Sequence, residues 1–276
     1  MIVTVVGLGV IGGSFVKALK GKGYDVYGID KDLETLKLAK GEGYIIEGYT
    51  DGKDIIEKSD LVMICLYPSL VLDFIKNHKF KKGCIVSDAV GIKSYFLNEA
   101  LRIIDKDVEY VSGHPMAGRE KKGFAYASKE VFKNANYIII EHSLNKKESI
   151  NFMNDFVNRL GFKSVKIMSP YDHDEIISFT SQLPHVLAVA LMNSDNQKYD
   201  TGKYIGDSFR DLTRIANINE DLWSELFLNN KEYLLKSLEQ FEEQFHLLKE
   251  SIKNNDEESL KTMFKESSKR RENLEK

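Results

Sequence analysis

The sequence predicts an α/β fold, a doubly wound parallel sheet, followed by an all-α C-terminal domain. Three observations carry that expectation. Short apolar runs alternate with amphipathic stretches through the first half, a glycine-rich turn separates the first run from the first stretch, and strand-like runs cease after "SVKIMSP".

The strand candidates in chain order are "IVTVV", "DVYGI", "LVMICL", "CIVSD", "EYVS" and "YIIIE". Between them lie helix-like segments such as "VIGGSFVKALKGKG" and "DLETLKLAKGEG", each closed by glycine, as helix C-termini commonly are. Beyond Tyr171 the apolar spacing is helical almost throughout. The domain boundary is therefore expected near Ser169 and Pro170, dividing residues 1–169 from 170–276.

Composition narrows the partners. The chain has 276 residues, 42% of them hydrophobic, enough for a sizeable core, and a net charge of -3 with acids and bases intermixed. No basic stripe is present to neutralise a nucleic-acid backbone or an anionic membrane, so a small-molecule partner is expected, with no nucleic acid and no membrane. The apolar start "MIVTVVGLG" lacks a basic flank and a small-residue cleavage site, which predicts a cytoplasmic protein without a targeting signal. Cys65 and Cys84 sit in separate apolar runs and are expected as buried thiols; no zinc-ligand spacing occurs, and no metal is expected.

Gly7, Leu8, Gly9, Val10, Ile11 and Gly12 form a G-x-G-x-x-G turn directly between the first strand and the first helix. In that setting the glycines provide a tight turn, close approach to a pyrophosphate, and close helix packing, with phosphates at the helix N-terminus. The second strand ends in Asp30, at the distance where an acid meets the ribose 2′-hydroxyl and repels a 2′-phosphate. A Rossmann-type domain that binds NAD follows as the expectation.

Ligands of such sheets lie beyond the carboxyl ends of the strands. Three loops are expected at that edge: "CLYPS", "SDAVGIK" and "SGHPMAGRE". Tyr67 in the first is placed with the cofactor residues. His114 in the third sits among Gly113, Pro115 and Gly118, which can hold an imidazole near the nicotinamide, where a hydroxyl that loses hydride must also lose a proton.

At this point the chain resembles the prephenate/arogenate dehydrogenase family. The resemblance rests on "VVGLGVIGGS", "GHPMAG", "SQLPH" and "FRDLTRIA", four motifs in order along nearly the whole chain. It implies an N-terminal NAD(P) domain, a helical C-terminal domain that binds substrate and dimerises, and oxidative decarboxylation of prephenate to 4-hydroxyphenylpyruvate on the route to tyrosine. Arogenate is the alternative substrate, and an NAD-binding regulator without catalysis is the alternative of another class. Other dehydrogenases on the same plan, such as β-hydroxyacid dehydrogenases, lack the combination of "GHPMAG" and "TRIA".

Prephenate carries two carboxylates and a ring hydroxyl, so its site needs a neutral base beside cationic anchors. His114 is the expected base, with an unperturbed pKa of about 6.5. Arg214 is the expected carboxylate anchor, because a guanidinium can grip a carboxylate with two parallel hydrogen bonds.

In "DHDEIISFTSQLPHVLAVALM", Ser178, Ser181 and His185 share one helix side among apolar neighbours, so the stripe is expected to line a cleft. Pro184 should distort the helix there. By resemblance His185 contacts substrate, and His173, nearer the helix start, is assigned with it. Asp211 stands three residues before Arg214 and is expected to orient it. The resemblance also places Trp223, the only tryptophan, near the pocket and Glu120 close to the anchoring arginine.

Two departures from the family pattern concern the pocket. Gly91 replaces a serine expected in D-x-x-S-x-K, while Asp88 and Lys93 remain, and Gln182 replaces a histidine common in "SHLPH". Toward the C-terminus Leu234, Leu238, Phe241, Phe245, Leu248 and Ile252 recur at steps of four and three, followed by Leu260, Met263 and Phe264. Pairing with a second copy as a homodimer is expected from that stripe.

Overall fold

The computed structural model describes residues 1–118 and 121–274. Strand β1 (Ile2–Val6) consists of β-branched side chains throughout, which suit a pleated and buried strand. It leads into helix α1 (Val10–Leu19), then β2 (Asp25–Ile29), α2 (Leu33–Gly41), β3 (Glu47–Tyr49) and α3 (Lys53–Ile56). The second winding comprises β4 (Leu61–Ile64), α4 (Pro68–Asn77), β5 (Ile85–Asp88), α5 (Ser94–Ile103) and β6 (Glu109–Tyr110).

These strands pair in parallel in the order β3-β2-β1-β4-β5-β6. The strand order reverses between β1 and β4, which opens a crevice at their carboxyl ends. Alternation along β1 divides the core between the two faces of the sheet. Val3 and Val5 pack with Phe15, Met63 and Met153, whereas Val6 packs with Ile64, Val86 and Phe96 on the other side.

The run "EYVS" does not continue as one strand. It ends as β6, and a second sheet begins at β7 (Gly113–Pro115), antiparallel to β8 (Asn136–Ile140), which runs parallel to β9 (Ser164–Met168) across α6 (Lys147–Arg159). His114 therefore stands within a short strand, where it pairs with Ile138, and not in a free loop. Edge strand β3 was not expected, since its three residues carry no apolar alternation.

The remainder of the described chain is helical. It comprises α7 (Pro170–Ile177), α8 (Leu183–Asn193), α9 (Asp207–Thr213), α10 (Glu220–Asn229), α11 (Lys231–Lys253) and α12 (Glu257–Asn273). Ser169 caps α7 by accepting from the Asp172 amide, and Pro170 occupies its first turn. The distortion expected at Pro184 is a single π-helical turn, Ser178–Gln182, joining α7 to α8. Proline has no N–H to donate, and an extra residue in the turn before it relieves the clash with the preceding carbonyl.

Residues Pro170–Asn193 thus form one helix that is long and apolar enough, by length and composition, to cross a bilayer. Here Ile177 and Leu183 are buried, while Ile176 and Phe179 are 44% and 57% exposed. The apolar flank expected inside the domain thus faces outward in part.

Candidate active site

The carboxyl end of β1 builds one wall of the crevice. Gly7 turns with φ +82°, and a Cβ there would lie 2.7 Å from the Cys65 carbonyl oxygen. A Cβ on Gly12 would come within 1.9 Å of the Gly7 carbonyl, so this glycine lets α1 close onto the turn. Gly9 has no neighbouring atom within 4 Å of its Cβ position. Together with Val10 and Ile11 it borders a cavity of about 640 Å³ at the switch point. No side chain caps α1 at Gly9, so the first amides of that helix are available to an anion.

Leu8 turns its side chain into the core, and its amide donates to Asp30 Oδ2 at 2.6 Å. Asp30 Oδ1 accepts from the Asp32 amide at 2.9 Å. Each carboxylate oxygen keeps a further lone pair for a ribose hydroxyl. The open Gly9 backbone, the uncapped helix and Asp30 together fit a dinucleotide. Gly7, Leu8 and Gly12 shape this loop, while Gly9, Val10 and Ile11 face the cavity.

His114 lines the same cavity, and its Nδ1 lies 2.8 Å from Nε2 of His173. Burial, followed by the neighbouring His173 and the Lys93 cation, holds the His114 pKa well below its ordinary 6.5. The imidazole is therefore neutral at pH 7, as a base must be. A Cβ on Gly91 would stand 3.6 Å from His114 Nε2, so that face of the ring is left open where a serine would reach it.

Behind His114 lies a fully buried polar layer. Lys93 Nζ donates to Asp88 Oδ1 at 2.7 Å, Ser112 Oγ at 2.9 Å and the Gly113 carbonyl at 2.7 Å. Those three bonds and the Asp88 charge satisfy a cation that burial alone would neutralise. Through Ser112 and Gly113 the ammonium fixes the strand that carries His114. His173 belongs to this layer and not to the cavity lining, because it is fully buried with Nδ1 against Asp174 Oδ1 at 2.7 Å. Its assignment to substrate contact is corrected accordingly.

The helical domain supplies the opposite wall. His185 stacks on Trp223 with ring centroids 3.6 Å apart, and both line the cavity with Ser181. The π turn and Pro184 bring Ser181 and His185 to one side, and His185 Nδ1 lies 2.8 Å from the Ser181 carbonyl. Ser178, from the same expected stripe, instead bonds Ser237 Oγ at 2.7 Å in the interior. Gln182 is buried and donates to the Leu226 carbonyl at 3.0 Å, while Asn230 donates to its amide oxygen at 2.8 Å. It braces the wall through α10 and α11.

Arg214 lines the cavity at the start of a 3₁₀ turn, Arg214–Ala216. Asp211 does not join it. The acid is exposed on α9, and no hydrogen bond or ion pair links it to Arg214 among the described residues. Helix α9 ends at Thr213, so the spacing of three straddles a change of helical pitch. Glu120 lies outside the described residues.

Lys121, Lys122 and Asn219 are polar lining residues that escaped the sequence reading. Lys121 and Lys122 directly follow the histidine loop and add positive charge to the cavity lining. The dibasic pair in "GREKKG" was their available signal. Asn219 caps α10 through Oδ1 and donates from Nδ2 to the Tyr67 hydroxyl at 2.7 Å. Nothing in its local sequence points beyond a cap.

A cavity bordered by a dinucleotide loop, a neutral imidazole and cationic side chains can bind an anion and take a proton as hydride leaves. Comparisons with known proteins place this arrangement. A family model described as the nucleotide-binding domain of prephenate dehydrogenase matches residues 15–166, and one described as its dimerization domain matches residues 169–266. The chain is 28% identical to a prephenate dehydrogenase of Lactococcus lactis, over 99% of this chain and 77% of that one. It is also 28% identical to a cyclohexadienyl dehydrogenase of Zymomonas mobilis, over 98% and 94%. A crystal structure of prephenate dehydrogenase from Aquifex aeolicus, in complex with hydroxyphenyl propionate and NAD+, superposes with a TM-score of 0.88 at 30% identity, covering 99% of this chain and 98% of that one.

Proposed function

The chain belongs to the prephenate dehydrogenase family and is an NAD-dependent oxidoreductase, and we propose that it converts prephenate to 4-hydroxyphenylpyruvate. One observation carries the proposal: the dinucleotide loop at Gly9, the imidazole of His114 and the guanidinium of Arg214 border a single cavity.

Bound NAD+ supplies the hydride acceptor. His114 takes the proton of the ring hydroxyl as the carbinol hydrogen leaves as hydride, and the C–O bond becomes a carbonyl. The ring carboxylate then departs as carbon dioxide, and its bonding electrons complete the aromatic ring. The phenolate oxygen recovers the proton from His114, so no net proton is released. The imidazole is neutral before the reaction because its pKa lies below working pH, so it can take the first proton, and the imidazolium so formed returns it.

Arg214 grips a substrate carboxylate, and Lys121 and Lys122 supply further positive charge for a dianion. His185, held flat against Trp223, orients the ring, and Ser181 offers a hydroxyl beside it. Prephenate and arogenate differ in one group, keto or amine, remote from the reacting carbon. Formation of NADH by purified protein, measured with each substrate and with NAD+ or NADP+, tests the assignment. Faster turnover of prephenate with NAD+ is expected, and no turnover of either substrate overturns it.

The same reading includes a second copy of the chain. Phe245, Ile252 and Phe264 are 59%, 64% and 58% exposed along α11 and α12, and Phe179 is exposed on the π turn. Apolar area of this kind is buried when two copies pair. Sedimentation of a dimer is expected; a monomer at micromolar concentration overturns it.

A further inference from the structure

We propose that Asp174 and His173 are positioning residues that fix the tautomer of His114, leaving a lone pair on its cavity-facing Nε2. Asp174 reaches the N-terminus of α5. There Asp174 Oδ1 accepts from the Lys93 amide at 2.8 Å and Oδ2 from the Ser94 amide at 2.6 Å. Burial pushes the Asp174 pKa up, but the bond from His173 and the Ser94 amide more than offset it and leave the group below its ordinary value. The carboxylate is ionised and can only accept hydrogen bonds.

That fixes the next link. Asp174 Oδ1 lies 2.7 Å from His173 Nδ1, so Nδ1 carries the hydrogen. The ring is fully buried, and burial with the nearby Lys93 charge disfavours a second proton despite the carboxylate. Its Nε2 therefore holds a lone pair. Since that atom is 2.8 Å from His114 Nδ1, His114 donates to it, and its remaining nitrogen faces the cavity unprotonated.

The groups packed around this chain are consistent with the assignment. Lys93 Nζ is consumed by Asp88, Ser112 and Gly113 and donates to neither imidazole. Gly91 puts no hydroxyl beside Nε2, so the two buried residues do from behind the ring what a side chain at position 91 would do from its front. No proton travels along the chain: Asp174 stays ionised and His173 stays neutral while His114 cycles.

The role of His114 as base rests on the proposed reaction, whereas its tautomer is a property of the free protein. Histidine-selective ¹⁵N NMR of the unliganded full chain, with the His114 signal identified by its loss in His114→Ala, reads the tautomer directly. A protonated Nδ1 and bare Nε2 are expected; the reverse overturns the proposal whatever the substrate proves to be. Two substitutions add a kinetic readout. In His173→Gln the amide oxygen can stand where Nε2 stood, and kcat stays within about tenfold with the tautomer unchanged. In His173→Asn the shorter amide keeps the Asp174 contact but leaves His114 without its acceptor, and kcat falls about 10²-fold or more at unchanged KM. Equal losses in both variants, with KM and folding affected alike, would reduce His173 to a packing residue.

Discussion

Asn219 and Tyr67 are joined by a 2.7 Å hydrogen bond that spans the cavity, from the loop after β4 to the cap of α10. Ser69 and Glu225 reinforce the link, with the Ser69 hydroxyl 3.0 Å from Glu225 Oε1. The dinucleotide side and the helical side are thus clasped directly over the site. Tyr67→Phe removes the acceptor and costs about 1 kcal/mol. The KM for NAD+ is expected to rise about fivefold with little change in kcat. An unchanged KM would confine the bond to holding the domains together.

His114→Ala is expected to lower kcat by roughly 10²- to 10⁴-fold while NAD+ affinity, read by fluorescence titration, stays within about twofold. Loss of NAD+ binding in this variant would mean that the imidazole supports the β7 strand more than the chemistry.

The pH dependence has a defined sign. As the proposed base His114 must be neutral, and burial, His173 and Lys93 hold its pKa well below 6.5. The acid limb of kcat/KM is therefore expected below pH 6.5, and a limb at or above that value contradicts the environment described. Stability follows the same direction. His114 and His173 refuse protons that their unfolded counterparts accept, so Tm should decline as pH falls from 6.5 toward their folded values.

Two glycines of one turn should fail differently. Gly12→Ala places a methyl 1.9 Å from the Gly7 carbonyl, so backbone must move and Tm falls. Gly9→Ala meets no atom within 4 Å, so Tm holds while the methyl enters the space of the pyrophosphate and NAD+ affinity falls. Differential scanning calorimetry and NAD+ titration of both variants separate the effects.

Arg214→Ala should raise the KM for prephenate roughly 10- to 100-fold, the range for losing charge-assisted hydrogen bonds. Asp211→Asn should leave KM within about twofold, because the acid points to solvent and makes no bond to Arg214. A large effect of Asp211→Asn would show that the pair forms once substrate is bound.

Much of this was legible in the sequence because it depends on local chemistry. The G-x-G-x-x-G turn, the alternation of strand and helix, and the Pro184 distortion all arise within a few residues of the signals that announce them. Motifs pointed to His114, His185 and Arg214, and the resemblance to Trp223; all four border one cavity. What the sequence hid depends on packing between distant segments. His173 read as a substrate residue because it shares a helix with His185, yet folding presses it against His114, 59 positions away. Asp211 read as an orienting acid because an uninterrupted helix would have put it beside Arg214, and the change to a 3₁₀ turn was not written in the residue types. Asn219 appeared to be only a cap, since one of its two polar atoms sufficed for that.

Asp174 belongs to the helical domain, yet its carboxylate closes α5 of the dinucleotide domain and ends the pair of imidazoles formed by His173 and His114. Separation of the domains on heating would strip α5 of its cap and His114 of its orientation in the same event. Turnover and domain docking should then be lost at one temperature, and cooling should restore them together.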